Sequence, residues 1–100
     1  MALPPTEEAR VFRLIAQVEA SDGAVFLRNG RQYSAQNAAM FLRRKCASRL
    51  AGYATAEEFV AQCAARSSTS GEAYRIRFAG EQEAQPSAEV LGRWLGRIAP

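Results

Sequence analysis

The chain contains no histidine. That removes the commonest general base near neutral pH and the commonest metal ligand. Lysine is nearly absent: Lys45 is the only one, and every other basic residue is arginine. Cysteine occurs only at positions 46 and 63, too few for a disulfide-dense scaffold. No apolar run approaches the 20 or so residues that span a bilayer. The opening "MALPPTEEAR" is polar and lacks a basic start with an apolar middle, so no signal peptide is read there. No "GxxxxGK[ST]" occurs, which leaves out a Walker-type phosphate loop.

What is present is an ordinary globular composition. The 100 residues are 48% hydrophobic and 23% charged, which suits one folded domain over residues 1–100 with a modest core. The formal charge of +3 is compatible with an anionic partner without requiring one.

Thr6 is expected to cap a first helix, with Glu7 and Glu8 favourably placed in its first turn. Val11, Leu14, Ile15 and Val18 form its apolar stripe, widened by Phe12. Ser21-Asp22-Gly23 stops it. "FLRNGRQY" then reads as a hairpin, because Asn29-Gly30 tolerates positive φ at both central turn positions. Ser34 caps a second helix to about Leu50, whose core side is Ala35, Ala38, Ala39, Leu42, Cys46 and Leu50. Phe41 and Lys45 share a neighbouring face. "TAEE" at Thr55 to Glu58 is a capping box for a third helix burying Phe59, Val60, Cys63 and Ala64. "AYRIRF" alternates, with Tyr74, Ile76 and Phe78 on one side, and supplies a third strand beside the hairpin. Pro86-Ser87 opens a last helix with Val90, Leu91, Trp94, Leu95 and Ile98 as its stripe, and Trp94 is expected in the core. The resulting class is α+β: a small antiparallel sheet, a hairpin plus one strand, packed against about four helices.

The two cysteines are expected to be buried and unpaired. With the second and third helices antiparallel about a loop at 51–54, an axial offset of roughly 7 Å follows at 1.5 Å per residue. A disulfide needs Cα atoms about 4.4–6.8 Å apart.

The blocks "FLRNG" with a following "Y", "AAMFLRRK", "TAEEFV" and "SSTSGEAYRI", in this order, resemble the YfeK-like family of small exported bacterial proteins of uncharacterised function. The resemblance covers most of residues 21–78. It implies export to the periplasm or cell envelope, and no known reaction. Where those proteins often carry histidine in an "HL..K" pattern, this chain has Phe41. That argues against imidazole chemistry shared with them.

The candidate ligand-binding residues are Arg28, Asn29, Gly30, Tyr33, Ser67, Ser68, Ser70, Gly71 and Tyr74. Arg28 supplies a donor fork and the turn amides add donors for a small anion or carboxylate. The structural alternative is a type I′ turn with a solvated arginine. The hydroxyls from Ser67 to Ser70 can equally cap the third helix. A serine nucleophile would need a base, and only Lys45 is at hand. Nothing here carries a lactamase-type signature. Glu57, Glu58, Glu81 and Glu83 show no organised pairing for a glycosidase. Arg43-Arg44-Lys45, extended by Arg49, could meet phosphates, but reads more simply as a solvated helix face without a reader motif. Neither a catalytic residue, a metal nor a cofactor is expected. The expected partners are a small anion or an envelope protein, rather than nucleic acid. The best reading is a binding or envelope accessory domain; the alternative is an interaction or structural module that uses a sheet edge or an apolar helix face.

Overall fold

The computed structural model describes residues 5–46, 53–65 and 71–98. Helix α1 (Pro5–Glu19) leads into strands β1 (Val25–Arg28) and β2 (Arg31–Ser34), then helix α2 (Ala35–Cys46). Helix α3 (Ala56–Phe59) continues directly into a π-wound turn over Val60–Ala64. Strands β3 (Arg75–Arg77) and β4 (Gln85–Pro86) precede helix α4 (Ser87–Leu95). The class is α+β, as the hydrophobic pattern indicates. The sheet has order β2-β1-β3-β4, every pair antiparallel. It therefore gains one strand over the hairpin-plus-one expectation. Pro86 precedes α4 as expected of a helix start, and it also pairs with Arg75 as part of β4.

Register explains the layering. Phe26 pairs with Tyr33 on one side and Ile76 on the other, so these three form a row on the face beneath the helices. Asn29 (φ 50°) and Gly30 (φ 79°) both adopt the left-handed region, which is the type I′ geometry a two-residue hairpin needs. Gly23 is required twice over. Its φ is 79°, and a Cβ there would meet the Ala79 Cβ at 3.0 Å.

The stripe of α1 is as expected, with Val11, Leu14, Ile15 and Val18 at most 1% exposed. Phe59, Val60, Cys63 and Ala64 are likewise buried. Asn37 N donates to Ser34 Oγ at 3.2 Å, capping α2. Glu58 N donates to Thr55 Oγ1 at 3.2 Å, while Ala54 N donates to Glu58 Oε2 at 2.9 Å. This is a capping box displaced by one residue on its return leg.

Four expectations need correction. Thr6 is not the cap, because the helix already runs from Pro5, and proline suits a first helical position. Phe12 is 42% exposed rather than part of the core face. Trp94 is only half-buried; it leans on Phe78 with ring centroids 5.9 Å apart while Leu91 and Leu95 fill the core. Cys63 is disulfide-bonded, and the chain contains one other cysteine, Cys46. The third helix starts after its Thr55 cap as expected, but the turn that carries Cys63 is π-wound rather than α-helical. An i→i+5 turn does not follow the α-helical geometry on which the 1.5 Å rise per residue rests. The second helix beyond residue 46 lies outside the described residues.

Two carboxylates tie helices together. Ala56 N at the start of α3 donates to Glu7 Oε1 at 3.0 Å, and Arg10 bridges to the same carboxylate at 3.1 Å. The Ala56 amide and the Arg10 guanidinium hold the Glu7 carboxyl below the ordinary 4.5. Arg43, at 2.8 Å, does the same for Glu19. A depressed folded-state pKa gives stabilisation that is complete above the unfolded value and is lost as pH falls through the folded one. The melting temperature is therefore expected to hold steady near neutrality and fall below pH 4.5. Glu7→Gln should flatten that fall. Melting curves for both proteins between about pH 3 and 7 check this; an equally steep acid fall in the variant would remove Glu7 as its source.

Candidate functional site

Strand alternation places Arg28 on the same sheet face as Phe26, two residues along. The antiparallel β1–β3 pairing, Phe26 with Ile76, carries Tyr74 to that same end of the face. Helix α2 follows β2 directly and packs back over the sheet, which delivers Phe41 and Lys45, one turn apart. An aromatic cluster bearing two cations results. The Arg28 guanidinium carbon lies 4.0 Å from the Phe41 ring centroid and 5.4 Å from that of Tyr33. Lys45 Nζ lies 5.3 Å from the Phe41 ring and 5.1 Å from the Tyr74 ring. Phe41 and Tyr74 meet edge to face at 5.9 Å. Such cation–ring contacts are favourable and leave the guanidinium edges open as donors.

The end of the third helical segment forms the floor of this region. A helix end leaves carbonyls without partners in the helix itself, and here three distant groups take them up. Lys45 Nζ donates to Cys63 O at 3.4 Å and to Tyr74 Oη at 2.9 Å. Ser87 Oγ donates to Ala64 O at 3.0 Å, and Tyr74 N donates to Ala65 O at 2.9 Å. Ser87 N in turn donates to Tyr74 O at 2.8 Å. Tyr74 is thus pinned between the π turn and α4, and Lys45 is drawn inward by the helix end it caps.

Two hollows adjoin the cluster. One is an apolar cavity of about 40 Å³ whose walls include Phe26, Ala38, Leu42, Ala64 and Leu91, with Arg28, Tyr33 and Tyr74 at its polar side. The other is a shallow polar depression of about 320 Å³ lined by Arg28, Asn29, Arg31 and Tyr33. Arg28 and Tyr33 line both.

The structure therefore brings Arg28, Tyr33 and Tyr74 together and sets Asn29 and Gly30, both exposed, at the rim. Gly71 is exposed with φ 74°. Ser67, Ser68 and Ser70 lie outside the described residues, as does Arg49. The basic run divides. Arg43 pairs with Glu19 on the surface, whereas Lys45 is half-buried rather than part of a solvated face. Phe41 and Lys45 were not among the candidate residues. Their i,i+4 spacing opposite the hairpin was the signal for them. Among the described residues no cluster of metal-ligating side chains occurs, and no helix is long and apolar enough to cross a membrane.

The model of a protein family described as a family of unknown function, DUF5329, matches residues 5–99. No curated protein matches the chain, and no solved structure does. The chain belongs to the DUF5329 family, whose function is unknown.

Proposed function

We propose that this chain is a non-enzymatic binding domain that holds a small anionic group at Arg28. The observation carrying this is the state of that arginine. Its guanidinium carbon lies 4.0 Å from the centre of the Phe41 ring, the residue is half-buried, and among the described residues no hydrogen bond or ion pair occupies its donor edges. Its cross-strand partner is Arg31. Like charges placed directly opposite on a sheet are destabilising, and an anion held between them relieves the repulsion. The cluster around Phe41 adds Lys45 to the local positive field. We further propose that the protein works in the periplasm or cell envelope, as its likeness to the YfeK-like exported proteins implies. The disulfide at Cys63 supports an oxidising compartment.

Thermal unfolding tests the anion reading. Phosphate, sulfate and acetate are added to wild type and to Arg28→Gln at constant ionic strength. A ligand that binds only the folded state stabilises by RT ln(1 + [L]/Kd), about 2.7 kcal/mol at a hundredfold excess over Kd. At least one anion should raise the wild-type midpoint and leave the variant's unchanged. Equal shifts in both proteins would refute a site at Arg28.

A second reading, an interaction module, is favoured by the position of β2 at the sheet edge. The closing pair Arg28–Arg31 is hydrogen-bonded across the turn. By antiparallel alternation, Gln32 then directs its N–H and C=O outward. Arg31, exposed on the same strand, is the kind of charge that blunts an edge, so this reading ranks second. Gln32→Pro separates the two, since it removes the outward donor and leaves Arg28 in place.

A further inference from the structure

Resting on the anion-binding reading above, we propose that the anion is a carboxylate carried on a small aliphatic group. The charge sits against Arg28, and the aliphatic part enters the adjoining apolar cavity. The shared lining carries the argument. Arg28 and Tyr33 line both the polar depression and the apolar cavity, so one ligand held at these two residues meets a cationic surface and a hydrocarbon surface within a few atoms.

The cavity itself favours carbon over water. A buried water needs two to four polar partners. Two of the hydroxyls among its lining residues already have partners: Ser87 Oγ donates to Ala64 O, and Tyr74 Oη accepts from Lys45. Apart from Arg28 and Tyr33, the rest of the lining, which includes Phe26, Ala38, Leu42 and Leu91, presents hydrocarbon side chains.

Size narrows the class further. At about 40 Å³ the cavity is far below the roughly 300 Å³ at which drug-sized ligands are enclosed. A small aliphatic group, from methyl to isopropyl, is in keeping with that size. Phosphate or sulfate seated here would press a further charged oxygen against that largely hydrocarbon wall, which is costly. A carboxylate presents two oxygens to the planar guanidinium fork and a carbon substituent on its far side. Two sources carry this chemistry: a free short-chain acid, and the C-terminus of a peptide ending in a small aliphatic residue.

The test is an NMR titration of isotope-labelled protein with acetate, propionate, isobutyrate and inorganic phosphate. A tripeptide ending in valine and the same tripeptide as its C-terminal amide complete the series. Each added carbon that enters the cavity should tighten binding about fourfold, with Leu42 and Leu91 methyl resonances shifting. Ala38→Val, which fills part of the cavity, should remove the dependence on chain length. Tighter binding of the peptide acid than of isobutyrate, with the amide at least tenfold weaker, identifies a peptide terminus. The reverse order identifies the free acid. Phosphate binding as tightly as isobutyrate, with the methyl resonances unmoved, would overturn this inference and leave the anion reading standing. No binding by any anion, with Arg28→Gln indistinguishable from wild type, would overturn both.

Discussion

Arg10→Ala is expected to lower the free energy of unfolding by about 3 kcal/mol, the lower end of the cost of breaking a buried ion pair. Arg10 is 8% exposed and sits among three helices. Its Nη1 donates to Glu7 in α1, its Nη2 to Glu57 in α3 at 3.2 Å, and its Nη2 also to Leu95 O in α4 at 3.1 Å. Its Nε donates to Ile98 O at 3.2 Å, just beyond α4. Truncation therefore takes the Arg10 donor from the Ile98 carbonyl, leaves the Leu95 carbonyl with Ile98 N alone and leaves the largely buried Glu7 carboxylate with the Ala56 amide alone, and an unmet buried acceptor costs more than a hydrogen bond gains. Glu57→Ala should cost under about 1 kcal/mol, because an ion pair that faces water contributes little, and the Glu57 side chain is 62% exposed. Urea denaturation of both variants reads the contrast. A shift for Arg10→Ala no larger than that for Glu57→Ala would show that the helices are held by packing alone.

Arg10 also marks a limit of sequence pattern. Positions 10, 14 and 18 fall on one helical face, so an arginine was standing on the apolar stripe of α1 in plain view. Period alone does not say whether such a residue snorkels outward or is buried with partners. The partners come from α3 and α4, 47 or more positions away. What was legible was whatever local chemistry decides: the Asn29-Gly30 turn, the Ser34 and Thr55 caps, the alternation at Tyr74, Ile76 and Phe78. What was not legible depended on a neighbour. Phe12 extends the stripe, yet among the described residues it stays 42% exposed. Gln85-Pro86 is a strand only because β3 offers it a partner, and the π turn inside a strong helical pattern arises where distant groups claim its last carbonyls.

The candidate site divides in the same way. Arg28, Tyr33 and Tyr74 could be grouped from sequence because hairpin register and strand alternation fix which residues share a face. Phe41 and Lys45 needed the packing direction of α2, which follows from the closeness of Ser34 to Ala35 and from the cover its alanines give the sheet. The inward turn of Lys45 has a further cause. It is drawn by the carbonyl of Cys63 and the hydroxyl of Tyr74, groups whose convergence exists only once α2, α3 and β3 are assembled.

Reducing the protein is expected to destabilise it by about 3 kcal/mol, the value for a closed loop of some 15 residues in the chain-entropy account. Cys63 is disulfide-bonded and 1% exposed, and one other cysteine, at position 46, is present in the chain. A bridge within the chain closes the segment between those positions, which contains the whole α2-to-α3 connection and the start of the π turn. The consequence reaches the candidate site, because the Cys63 carbonyl receives Lys45, and Ala64 beside it lines the apolar cavity. For a chain of this size each kcal/mol moves the melting temperature by about 4–8 °C, so a reductant should lower it by more than about 10 °C. Cys63→Ala, already without the bridge, should melt near the reduced wild type and ignore the reductant. In the unfolded, unreduced protein no reactive thiol should be found, and the monomer mass should be two hydrogens short of the dithiol. Two reactive thiols per chain, or a wild-type midpoint that reductant leaves in place, would show that the π turn is held by its packing and carbonyl partners rather than by the bridge.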